Sequence, residues 1–354
     1  MDSGFTPFFD HLDEYRNAPK PPSDWHIPEP DEEGAPVASP AEIEENANEL
    51  RSAYSRVGLG LFLYALVPQV LAFGFSYLAK LFFPKLLAEA WFQLIVSDVF
   101  MYLIGAPICL LAMGMPKRKS SAPRKKLPLF VFLIAVCLFE TASVIGSLIG
   151  NTLMGLFSLL VEYDYNSALD SLISDLSLPM IFIFVVVIGP IMEEIIFRYA
   201  PLKRLLPYGE FQAVLMTSVI FGLAHGNLYQ FFYCVAGGMV LGYLYARTRN
   251  ILYPILLHIL FNFFGGFVPV LIERAAATNE ILETVLLFFY SFLIYGLALA
   301  GIILLCLFFR QIKFRSAELA LPQAGTARLI WLNGGMIALT VTSFLLLLLS
   351  FIPI

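Results

Sequence analysis

An all-α, polytopic transmembrane helix bundle of about eight or nine spans is the fold class that this sequence of 354 residues predicts. Three observations carry the expectation. Charged residues make up 14% of the chain, against roughly 25% in soluble domains. Hydrophobic residues reach 59%, with a mean hydropathy of +0.78. Apolar runs of about 20 residues, each long enough to cross a bilayer as a helix, recur from residue 57 onward. A soluble globular domain is excluded, the lipid bilayer is the expected surrounding, and no nucleic-acid partner is expected.

The first element is a polar one. Residues 1–50 hold 13 acidic and 2 basic residues (net −11), whereas residues 51–354 hold 14 acidic and 20 basic (net +6). The stretch "PKPPSDWHIPEPDEEGAP" is rich in proline and acid and poor in branched apolar residues. Such a composition buries too little surface to fold alone, and it lacks the basic and apolar regions of a signal peptide. Residues 1–55 are therefore expected to form an acidic, disordered cytoplasmic tail, or a docking arm for a partner. Residues 56–354 are expected to form the transmembrane domain.

The apolar runs place spans at about 57–79, 91–113, 128–150, 179–202, 211–226, 229–246, 251–271, 284–309 and 329–353. Residues 151–160 either extend the third span or lie along the interface, and the acidic loop 161–179 is expected outside. With the N-terminus inside, 16 of the 20 basic residues beyond residue 50 fall on the inner side, including the cluster "PKRKSSAPRKK" (116–126). That is the bias of the positive-inside rule, and it points to an integral protein of the plasma membrane with a cytoplasmic N-terminus. Cys109, Cys137, Cys234 and Cys306 all fall in spans without metal or redox spacing, and are read as packing residues. No internal repeat supports an inverted-repeat transporter.

Ionisable groups inside spans are costly, about 2.5–3.5 kcal/mol for Asp, Lys or Arg by insertion scales, and so mark function. Here they are Asp98, Glu140, Glu193, Glu194, Arg198, His225 and His258. Glu194 and Arg198 are four residues apart with the acid N-terminal, the favourable order for an ion pair on one helix face. Glu193 points elsewhere and has no such partner. Pro190 removes a backbone hydrogen bond and bends the helix about one turn before Glu193. Phe221 shares a face with His225, and His258 with Asn262. Gly238 and Gly242, in the sixth span, are spaced for a close helix contact.

A carboxylate, two imidazoles and a carboxamide from different helices make a hydrolytic set. A carboxylate or imidazole can take a proton from water, and ring or amide N–H groups can stabilise an oxyanion. The same types, Glu193, His225 and His258, could instead hold zinc, although no H-E-x-x-H pattern is present.

At these residues the chain resembles the CAAX protease and bacteriocin-processing (CPBP) family of intramembrane proteases. The family's three motifs, E-E-x-x-x-R, F-x-x-x-H and H-x-x-x-N, read here as "EEIIFR" (193–198), "FGLAH" (221–225) and "HILFN" (258–262). The resemblance covers roughly residues 178–270, the protease-like core, and implies peptide-bond hydrolysis of membrane-associated peptide or protein substrates within the bilayer. It implies that Glu193 activates water with help from His225 while His258 and Asn262 stabilise the oxyanion, or that a zinc ion is held at the same residues. Glu194 and Arg198 are supporting. A proton-coupled transporter, which predicts flux without cleavage, and a non-catalytic membrane scaffold are the alternatives from other classes. Substrate identity and oligomeric state have no signature in the sequence.

Overall fold

The computed structural model describes residues 38–118, 122–158, 175–322 and 324–349, and among these every regular element is helical. The main helices are α1 (Pro40–Phe82), α2 (Ala90–Met113), α3 (Leu129–Ser158), α4 (Leu178–Tyr208), α5 (Glu210–Ala224), α6 (Leu228–Thr248), α7 (Leu252–Ala275), α8 (Glu280–Gln311) and α9 (Gly334–Leu349). Seven are long and apolar enough to cross a membrane; α5 and α9 are shorter. Each falls where an apolar run predicts a span, and residues 151–158 prolong α3. The 161–174 part of the acidic loop lies outside the described residues, as do residues 1–37.

Within the stretch 1–55 expected as an acidic tail, α1 begins at Pro40. Ser39 caps it, its hydroxyl accepting from the Glu42 amide at 3.2 Å, and proline suits the first helical position. Leu50, Tyr54, Val57, Leu61 and Tyr64 then recur every three or four residues and are all buried. This is the stripe that seats an amphipathic helix on a core. The Asn46 amide donates to the Ala320 carbonyl at 3.1 Å. Net negative charge obscures the stripe, because Glu42, Glu44 and Glu45 stand at exposed positions of the same helix.

Helix α6 lies between α3 and α5, while α1 packs against α2 and α9 and α8 lies along α3. The largest core cluster joins side chains of α1, α2, α4, α5, α6 and α9. Outward faces carry large apolar side chains such as Phe73, Leu111, Phe288 and Phe292, each more than 60% exposed. Apolar surface on that scale is untenable in water and is what a lipid-facing surface requires. The chain is an integral membrane protein. Cys109 and Cys234 are buried, as expected of packing residues, whereas Cys306 is on an exposed face; all four thiols are free.

Candidate active site

Helix α4 departs from regular winding on both sides of its motif. Residues Ile181–Ile188 and Ile195–Tyr199 are π-helical, with an α-helical turn, Gly189–Glu194, between them. Such π turns cluster at functional sites. Proline explains part of the pattern. The Gly189 amide donates to the Phe184 carbonyl, five residues back, so the next bond in that register would run from residue 190 to Val185. Pro190 has no N–H to give. The Asn262 amide of α7 fills the place, its Nδ2 donating to the Val185 carbonyl at 2.9 Å.

Glu194 and Arg198 form the ion pair expected of them, Nη1 to Oε1 at 3.1 Å, with both side chains fully buried. The guanidinium carbon also sits 3.7 Å from the centre of the Phe221 ring. Phe221 is thus a cation–π partner as well as a packing residue. Arg198 can lie there because Gly238 of α6 lacks a side chain: a Cβ would stand 2.9 Å from Nη2 and 3.1 Å from the Ser218 Cβ. The small-residue spacing on α6 does make the close contact that it predicts.

His258 stands between the two glutamates. Its Nδ1 is 3.0 Å from Glu194 Oε1, and its Nε2 is 3.6 Å from Glu193 Oε2. The first is a hydrogen bond; the second is too long to be one. Glu194 therefore has a second duty that helical spacing does not reveal, fixing the ring of a histidine on another helix. His225, at the end of α5, places Nδ1 2.8 Å from the Phe221 carbonyl. Because that carbonyl can only accept, Nδ1 carries the proton and Nε2 is left as an acceptor. Gly226, at φ +66°, turns the chain immediately afterwards. The Phe221 ring meets both imidazoles edge to face, at 4.7 Å from His225 and 5.8 Å from His258.

Glu193, His225, His258 and Asn262 all face one cavity of about 830 Å³, and Asp98 and Glu140 line it as well. The two remaining acids of the spans thus share the chamber. Glu194 and Arg198, wholly buried, stand behind its wall. The structure adds Tyr102, Gln230, Tyr233 and Tyr290 to the lining; their only mark in the sequence is a polar group at the end of a large or apolar side chain within a span. Glu193 and His225 also border a second cavity of about 310 Å³, which Tyr64, Gln69 and Ser343 line as well.

Glu193, His225 and His258 have donor types that suit zinc. As placed they do not form such a site: among the described residues no group of three or more His, Cys, Asp or Glu side chains is arranged to hold an ion. His258 and His225 commit Nδ1 to Glu194 and to the Phe221 carbonyl respectively, a partnership that metal-ligating histidines also make through their second nitrogen.

The fold and this chamber define a polytopic membrane protein with buried acid–base groups, and comparison with known proteins narrows the class. Residues 175–264, which contain all three motifs, match the family described as Type II CAAX prenyl endopeptidase Rce1-like. The protein named "Putative membrane peptidase YdiL" of Bacillus subtilis (strain 168) is 39% identical over 89 residues, covering 25% of this chain and 36% of that protein. The chain thus aligns with about a third of the length of this curated relative. No solved structure matches. The motif-bearing segment is thus similar to a CAAX endopeptidase family, in line with its resemblance.

Proposed function

We propose that this protein is an intramembrane endopeptidase that hydrolyses a peptide bond of a membrane-associated substrate inside the 830 Å³ cavity. One observation carries the reading: Glu193, His225, His258 and Asn262, from three separate helices, face the same chamber.

In this reading Glu193 takes a proton from water, and His225 Nε2 accepts from the same water and orients it. The water oxygen bonds to the carbonyl carbon, and the carbonyl electron pair moves onto its oxygen. His258 Nε2 and the second amide hydrogen of Asn262 donate to that oxyanion, the type of preorganised stabilisation that contributes most to such reactions. His258 donates from Nε2 while Nδ1 bonds Glu194, so the ring is charged in this step. Glu194 Oε1 is shared between this ring and Arg198, and the oxyanion supplies the second negative charge. Glu193 then returns the proton to the amine nitrogen as the carbon–nitrogen bond breaks.

The description of the matched family makes a prenylated C-terminal tail the first substrate class to test. Apolar walls that include Phe139, Phe184 and Phe261 suit a lipid-modified chain. The site assignment is tested with full-length protein in proteoliposomes and a prenylated peptide. Glu193→Gln and His225→Ala should each lower turnover by about 10²–10⁴-fold, the range for general acid–base groups. Undiminished cleavage by both variants would falsify the assignment. A strong chelator should leave cleavage unchanged; loss that zinc restores would transfer the reaction to a metal mechanism.

A further inference from the structure

A third cavity, of about 240 Å³, lies at the end of the bundle where α4 and α6 finish and the segment leading into α3 passes over them. Its polar lining consists of Arg124, Lys203, Arg249, Tyr199 and Tyr245, with no acidic side chain among the lining residues. Three cationic groups and two hydroxyls therefore surround one small space. That space is smaller than the roughly 300–1,000 Å³ of pockets that enclose whole organic ligands, which suits a headgroup better than a peptide.

The arrangement is built by the fold. The Lys125 amide donates to the Thr248 carbonyl at 2.9 Å, and the Leu127 amide donates to the Tyr253 hydroxyl at 2.8 Å. These two bonds hold the segment that carries Arg124 across the helix ends. Arg249 has φ 51°, the sole non-glycine positive φ among the described residues, a conformation that costs of order 1 kcal/mol or more for such a residue. Its guanidinium is steadied by Glu210 at 3.2 Å. Lys203 lies over the Tyr199 ring and donates to the Tyr199 hydroxyl at 3.2 Å. Cations near helix C-termini are common because they complement the helix dipole. That effect does not require three of them to converge on one cavity, or a strained backbone to aim one.

We infer that Arg124, Lys203 and Arg249 with Tyr199 and Tyr245 form a binding site for a phosphate group at the membrane–water boundary. Arginine and lysine are the donors that phosphate oxygens recognise, and basic pockets between membrane helices take anionic lipid headgroups. The site is on a different part of the bundle from Glu193 and does not depend on the protease reading. The phosphate can belong to a lipid or to a soluble compound, and the experiment distinguishes them.

Purified full-length protein is presented with nanodiscs of phosphatidylglycerol or phosphatidylcholine and, separately, with inorganic phosphate, and retention is read by native mass spectrometry. Phosphatidylglycerol retained in preference to phosphatidylcholine assigns the site to an anionic lipid; retention of inorganic phosphate alone assigns it to a soluble phosphate compound. In either case Arg124→Ala and Lys203→Ala should weaken binding by about tenfold, while Arg310→Ala, at the same end of the bundle but outside the cavity, should not. Arg124 is exposed, so its replacement tests the site without disturbing the core. Retention of neither ligand, or equal loss with Arg310→Ala, would overturn the inference.

Discussion

Arg198 is a cation with none of its surface exposed, held by Glu194, by the face of Phe221 and by the gap at Gly238. Removing one member of a buried ion pair strands the other, which costs about 3–5 kcal/mol. Arg198→Ala is therefore expected to lower the melting temperature sharply in detergent. The paired change Glu194→Leu with Arg198→Met should recover most of that stability, because an apolar pair of similar volume is well tolerated in such positions. Cleavage should nevertheless remain low, since His258 loses the carboxylate that holds its Nδ1. Thermal melting and peptide turnover measured on the same preparations separate the two effects. The pairing of Glu194 with Arg198 is legible in sequence because four-residue spacing on a helix fixes it. The bond from Glu194 to His258 is not, because it joins groups 64 positions apart and depends on how α4 and α7 pack.

Helices were largely readable from apolar runs: the sixth span, expected at 229–246, is Leu228–Thr248. The π turns of α4 were not, since widening a turn leaves the apolar composition unchanged. Proline gave half of that signal. Pro190 announces a carbonyl without a backbone donor, but only the packing of α7 shows that Asn262 supplies one. Asn262→Ala should cost about 1 kcal/mol, the net value of one hydrogen bond, and Asn262→Asp, which cannot donate when ionised, should not rescue it. Equilibrium unfolding in detergent reads both. Contact between α5 and α6 depends on small residues. Gly238→Val is expected to destabilise the bundle by about 1–3 kcal/mol, as overpacking does, because its side chain would meet Arg198 and Ser218. A larger loss than that of Gly266→Val, at a glycine with open space around it, is the expected contrast.

Across the whole molecule, the asymmetry of basic residues leads to an orientation that labelling can examine. With native cysteines replaced, Lys126→Cys and Ala277→Cys should react with an impermeant thiol reagent from opposite sides of sealed vesicles, Lys126→Cys from the cytoplasmic side. Labelling of both from one side would refute the alternating topology. Composition made the membrane class plain, yet it hid how much of the acidic segment is ordered, because net charge averages over helix faces that do different things. That ordered part matters beyond its own packing. Helix α1 has 43 residues, about 65 Å at 1.5 Å per residue and roughly twice the ~30 Å hydrocarbon thickness. Near one end, Glu49 accepts from the Tyr208 hydroxyl at 2.8 Å and pairs with Arg118 at 3.1 Å. About 22 Å further along the same rod, Tyr64 borders the smaller chamber that Glu193 shares. The anchorage at Glu49 and the cavity wall at Tyr64 therefore belong to one continuous helix.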